Sequence, residues 1–183
     1  MPRLFIGVEL PEEIKEELAE LKLLTPRIDS ARWIEKQNLH ITLKFLGHVP
    51  EELVEILSKR IEASVRGGGA FEFALGEAGA FPTRRRARIL WYGVDDGEDA
   101  LEKLAGSIEA AAETCGYRPE KRLFHPHITL ARIKTPQDVS SALEAIDGKL
   151  RNRAVSVPHV ALFESILKRT GAEYSVIDRF RLE

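Results

Sequence analysis

The tetrapeptide His-Ile-Thr-Leu occurs twice in this chain, at residues 40–43 and 127–130, in surroundings that otherwise differ. Gly7 and Gly93 stand 86 residues apart and the two histidines 87, so the halves of the 183-residue chain align almost in register. A duplication restricts the fold to arrangements that use one unit twice. Two copies are too few for a solenoid, so the pair is expected to form two lobes related by a rough twofold axis. The length suits one domain spanning 1–183, with lobes of roughly 1–83 and 84–183 and strands able to exchange between them.

Each half alternates short apolar runs with segments of helical spacing. Leu4 to Leu10 reads as a strand, and Pro11-Glu12-Glu13 opens a helix with Ile14, Leu18 and Leu21 on one side. Asn38 to Gly47 is a second strand, followed by a helix from Pro50 with Leu53, Ile56, Leu57 and Ile61, closed by Gly67-Gly68-Gly69. Phe71 to Phe81 is a further strand. The second half repeats the order with a strand over 89–94, a helix over 98–115, a strand from Phe124 to Arg132, and a helix carrying Val139, Leu143 and Ile146 capped by Thr135. Ala154 to Phe163 matches Phe71 to Phe81, and Ser165 to Leu182 reads as a hairpin around Thr170-Gly171-Ala172. The predicted class is α+β: a bilobal pseudo-twofold duplication, with two mostly antiparallel sheets lining a central cleft and helices outside.

On a strand, residues two apart share a face, so His40 and Thr42 point one way while Ile41 and Leu43 enter the packed layer. His127 and Thr129 repeat this. An imidazole and a hydroxyl from each lobe across a groove suit a reaction in which one proton is taken and one given, because imidazole titrates near ~6.5. Phosphoryl transfer at a cyclic phosphodiester is such a reaction, with the threonines holding non-bridging oxygens. A lone His-x-Thr on a strand is ordinary structure. Two copies that retain the polar face at matching points of a repeat indicate function, although the symmetry leaves acid and base unassigned.

These residues resemble the 2H phosphoesterase superfamily, and within it the RNA 2′,3′-cyclic phosphodiesterases described as 2′-5′ RNA ligase-like, with their His-x-Thr-x (HxTx) motifs. The likeness rests on Phe5-Ile6-Gly7-Val8, on Arg32-Trp33 leading to Asn38-Leu39-His40-Ile41-Thr42-Leu43-Lys44-Phe45-Leu46-Gly47, and on Pro126-His127-Ile128-Thr129-Leu130-Ala131-Arg132. The resemblance implies a bilobal fold and a hydrolase that opens a terminal 2′,3′-cyclic phosphate of RNA to a 2′-phosphomonoester, without metal or cofactor. It implies His40 as proton donor, His127 as proton acceptor and a capacity to join or split 2′-5′ linkages. It also supports phosphate binding by Arg132, which a regular strand would turn to the opposite face from Thr129 unless a bulge intervenes. Lys44 shares the parity of His40 and Thr42 and is a further substrate-binding candidate.

Net charge is −2, so RNA contact must be local rather than a bulk polycation effect. Arg84-Arg85-Arg86 with Arg88 is the one basic cluster, read as a solvated loop. Phe45, Phe124, Trp33 and Tyr92 can stack on bases, with core packing as the default reading. His125 and His127 lack neighbouring carboxylate or cysteine donors for a metal, and His48 and His159 read as structural. Cys115 is alone and reads as packing. No apolar run reaches 18 residues and the first residues show no signal-peptide pattern, so a cytoplasmic monomer away from membranes is expected. Two other functions fit the same groove: a non-catalytic RNA-end binding module, and a phosphodiesterase for a small cyclic nucleotide.

Overall fold

The computed structural model describes residues 1–183. In chain order the elements are β1 (Arg3–Glu9), α1 (Glu12–Leu24), β2 (Ala31–Trp33), a 3₁₀ turn (Lys36–Asn38), β3 (His40–His48), α2 (Glu51–Val65), β4 (Phe71–Phe81) and β5 (Ala87–Val94). They continue with α3 (Glu98–Thr114), β6 (His127–Gln137), α4 (Ser140–Ile146), β7 (Ala154–Val157), β8 (His159–Lys168) and β9 (Gly171–Arg181). This is the α+β class expected. Proline precedes α1 and α2, and paired glutamates occupy the first turn of each, where carboxylates favour the positive end of the helix dipole.

Every strand pair is antiparallel, in the order β7-β4-β5-β6-β3-β1-β8-β9, with β2 also on β6. The order has a twofold pattern about the β6–β3 junction: β5 flanks β6 as β1 flanks β3, β4 follows β5 as β8 follows β1, and the ends are β7 and β9. Strand β4 therefore comes from the first half of the chain but pairs in the second-half sheet, while β8 and β9 complete the sheet of β1 and β3. The two sheets meet through one pair, Ile41 opposite Ile128, so they form a continuous surface rather than two separate layers.

One face of this surface is covered by a cluster of 39 buried apolar residues that takes in the inner sides of all four helices. Ile14, Leu18 and Leu21 of α1, and Leu57, Ile61 and Val65 of α2, form the stripes that the spacing predicts. Ile56 departs from it: Leu57 and Ile61 define the inward line of α2, and Ile56 is rotated off it into solvent. The opposite face holds only a small apolar cluster of Phe5, Ala161 and Phe163 and is left for the histidines.

Two local expectations change. Thr135 lies within β6, which runs on to Gln137, and its amide donates to Ser30 Oγ, so it caps no helix. Asp138 takes that part by accepting the Ser140 amide at 2.8 Å. The run Ala154 to Phe163 is broken at Pro158 into β7, which pairs with β4, and β8, which pairs with β1.

At the β1–β3 crossing, a Cβ placed on Gly7 would stand 2.6 Å from the Ile41 carbonyl oxygen. Gly7→Ala is therefore expected to push the two strands apart at a cost of about 1–3 kcal/mol. A denaturant midpoint equal to the parent's would show that the strands absorb the methyl group.

Candidate active site

His40 and His127 are the first residues of β3 and β6, one position before the pair that joins the two sheets. Extending the register of Ile41 and Ile128 by one residue each way sets His40 opposite Thr129 and Thr42 opposite His127 on the helix-free face. Both imidazoles and both hydroxyls thus meet at one junction.

The ring orientations are set in the same way in both copies. Nδ1–H of His40 donates to the Asn38 carbonyl at 2.7 Å, and Nδ1–H of His127 donates to the His125 carbonyl at 2.6 Å. A carbonyl only accepts, so the neutral rings carry their proton on Nδ1 and leave Nε2 with a lone pair. At His40 the Thr42 hydroxyl donates to Nε2 at 2.9 Å. Asn38 is itself pinned by its side chain, with Nδ2 donating to the Ala172 carbonyl at 2.7 Å and Oδ1 accepting the Tyr174 amide.

Aromatic rings enclose both imidazoles. Phe5, Phe163 and Tyr174 lie 4.8, 5.7 and 5.2 Å from His40 between ring centroids. Phe81, Trp91 and His125 lie 5.1, 6.2 and 6.1 Å from His127. The Trp91 indole crosses Gly79 and Gly93 so closely that a Cβ on Gly79 would stand within its ring, which is why both positions lack side chains. Loss of water pushes His40 down to about 4, opposed by the Asn38 hydrogen bond and reinforced by the charges of Arg132 and His127. His127 is lowered for the same leading reason, with the His125 hydrogen bond opposing and the charges of His125 and Arg132 adding to it.

Arg132 reaches this centre through a bulge repeated in both copies. Ile6 pairs with Lys44 and Gly7 with Thr42, so Leu43 has no partner. Leu90 pairs with Ala131 and Trp91 with Thr129, so Leu130 has none. Two consecutive residues, 43–44 and 130–131, therefore face the core, and the next residue returns to the groove. That residue is Arg132 in one lobe and Phe45 in the other. Phe45 is 58% exposed, with its ring 6.0 Å from Phe5, so core packing was the wrong default for it.

The same bulge removes Lys44 from the groove, correcting the parity expectation. Its side chain is 2% exposed, and Nζ donates to Glu109 Oε1 at 2.6 Å and to the Arg118 carbonyl at 2.9 Å. Glu109 also accepts the Glu120 amide at 3.0 Å. Lys44 therefore ties the strand of His40 to α3 and to the loop that leads into His127.

The other candidates lie away from the histidines or pack. Tyr92 is fully buried, with its hydroxyl accepting the Leu150 amide, and Trp33 and Phe124 rest against the core, as does Cys115. Arg84 donates to Ser140 Oγ and faces Glu144, and Arg88 donates to the Lys134 carbonyl, so half of the basic cluster is tied to neighbouring elements. His159 contacts Glu9, which Arg179 holds with two hydrogen bonds. His48 lies 3.4 Å from the Met1 carbonyl oxygen. No helix is long and apolar enough to cross a membrane.

Fold and site together define a class, a duplicated α+β protein that presents His-x-Thr from each half on one open face. Within that class, the profile of the 2′-5′ RNA ligase superfamily matches residues 10–168, and the chain belongs to that superfamily. It is 33% identical to the RNA 2′,3′-cyclic phosphodiesterase of Methanothermobacter thermautotrophicus, over 98% of each chain. It is 32% identical to the enzyme of that name from Escherichia coli, over 98% of this chain and 96% of the other. The crystal structure of TT0787 of Thermus thermophilus superposes with a TM-score of 0.84 at 28% identity, covering 98% and 97% of the two chains. Escherichia coli LigT complexed with 3′-AMP superposes with a TM-score of 0.79 at 28% identity, covering 99% and 98%.

Two outcomes follow from this geometry. Lys44→Met takes the cation from Glu109, which is only partly buried, and is expected to cost about 1–3 kcal/mol in denaturant unfolding, much of it recovered in the double variant with Glu109→Leu. Additive losses in the double variant would deny the pairing. Arg132→Met removes a positive charge that disfavours both imidazolium forms, so the NMR titrations of His40 and His127 should both move upward; unmoved titrations would put the guanidinium out of reach.

Proposed function

We propose that this protein is an RNA 2′,3′-cyclic phosphodiesterase that hydrolyses a terminal 2′,3′-cyclic phosphate to a 2′-phosphomonoester, without metal. The observation that carries the reading is the register that sets two histidines and two threonines on one face of a single strand junction, within reach of the Arg132 charge, in a chain related over its length to enzymes of that name. His127 takes a proton from water at Nε2 as the water oxygen attacks phosphorus. The P–O3′ bond breaks, and His40 gives its Nε2 proton to O3′. Thr42 and Thr129 donate to non-bridging oxygens, and Arg132 balances their charge as it grows. With a ribose hydroxyl in place of water, the same proton transfers join or split a 2′-5′ linkage.

Burial holds both imidazoles largely neutral at pH 7, while the mechanism needs one of them charged. The negative charge of the bound diester supplies the opposing effect by favouring imidazolium beside it. The assignment of His40 as acid rests on family resemblance, since the symmetric register supports either order. We read the protein as a cytoplasmic monomer that acts on RNA ends.

An oligoribonucleotide ending in a 2′,3′-cyclic phosphate, incubated in EDTA, is expected to yield the 2′-phosphate, with His40→Ala and His127→Ala each slower by ~10²–10⁴. Because one histidine must be protonated and the other not, kcat/KM should follow a bell bounded by their two lowered values. It falls on the acid side when both are charged and on the alkaline side, before the ordinary imidazole range ends, when both are neutral. Tight binding without turnover would make the protein an RNA-end binder, and activity lost only to EDTA would mean a metal-dependent reaction.

A further inference from the structure

Arg32 stands directly opposite Arg132 in the β2–β6 pairing. Like charges at directly opposed positions repel, and neither guanidinium lies within 4.0 Å of a carboxylate, the range over which the ion pairs of this protein form. The rest of β2 explains why the chain holds Arg32 there. Ala31 and Trp33 pack against the core, which leaves Arg32 as the residue of this strand that faces the groove.

The backbone on either side is fixed. The Ile34 amide donates to the Leu130 carbonyl at 2.8 Å, and the Lys134 amide to the Ser30 carbonyl at 3.2 Å. Gln137 Nε2 donates to the Asp29 carbonyl. The guanidinium extends toward the β8–β9 turn, where Nη1 would stand 3.8 Å from a Cβ at Gly171. A three-residue strand with this many anchors presents one unpaired cation beside another, and the pair sits next to the reacting centre, since the charge of Arg132 is felt by both histidines.

Two adjacent cations without acids suit two adjacent anions. A lone cyclic nucleotide offers one phosphate, whereas an RNA strand offers its cyclic end and then a phosphodiester one nucleotide inward. We propose that Arg32 is a second phosphate site of the groove, which holds this inward phosphodiester while Arg132 serves the cyclic end, so that the groove selects an oligonucleotide over a mononucleotide. The proposal rests on the phosphodiesterase reading above and names its substrate class. It runs the strand from the histidines across β6 toward β2 and the β8–β9 turn, away from the Arg84 to Arg88 loop, where two of the four arginines are occupied by neighbours.

The test compares the parent with Arg32→Met, which keeps the aliphatic stem, on two substrates: 2′,3′-cyclic AMP and a short oligoribonucleotide with a 2′,3′-cyclic end. Expected are a loss of about tenfold in kcat/KM on the oligonucleotide, mostly in KM, and a change under twofold on the mononucleotide. The slope of log kcat/KM against log salt for the oligonucleotide should flatten by about 0.7, the share of one phosphate on a single strand. Arg32→Lys should recover part of the loss. Equal losses on both substrates, or none on either, would overturn the proposal. If the parent turns over neither substrate, the catalytic reading fails by itself. Anisotropy binding of the same oligonucleotide then decides the phosphate site, which stands only if Arg32→Met weakens binding and flattens its salt dependence.

Discussion

A single antiparallel pair, Ile41 with Ile128, joins the two sheets and places the candidate active site. Both residues are fully buried, so the junction is held by the core beneath it. Because side chains alternate along a strand, burying these two isoleucines turns His40, Thr42, His127 and Thr129 to the other side at one place. The active groove is thus the reverse of a core contact. A slip of one residue in either strand would bury the imidazoles and expose the isoleucines, so packing itself enforces the register that the proposed mechanism needs.

The second determinant is the bulge at Leu43 and Leu130. It changes which side chains face the groove after the motif, and because both copies have it, sequence sets which residue each lobe returns there. One lobe returns an arginine to the site and the other a phenylalanine. The groove is thereby polarised in charge, with a cation on the β6 side and an aromatic ring on the β3 side. The aromatic walls around each histidine keep water away and strengthen the effect of the Arg132 charge on both rings.

Much of this was legible in the chain. The apolar stripe of α1 and the 71–81 strand followed from periodicity, which reports which side of an element is buried. The repeat of His-Ile-Thr-Leu located the two histidines and their threonines and, through resemblance, the family. Lys44 and Phe45 were misread for a physical reason: alternation holds only while the ladder is regular, and the unpaired Leu43 inverts it for the two residues that follow. Thr135 looked like a helix cap beside Pro136, but the amide of Thr135 was claimed by Ser30, more than a hundred residues earlier. Arg32 entered only as part of the Arg32-Trp33 pair that bears the resemblance, since nothing in Ala-Arg-Trp announces a partner across a sheet.

The sequence by itself determined the duplication, the α+β class, the identity of the paired catalytic candidates and the absence of any bulk positive charge, because each of these is a local or compositional property. Only the tertiary structure decided that the two motifs meet, that β4 and β8 are traded between sheets, that Lys44 is a buried tie to Glu109, and that Arg32 faces Arg132. These are relations between residues far apart in the chain. They are settled by which strands find each other and where the ladder skips a residue, and that choice minimises the free energy of the whole core rather than of any one segment.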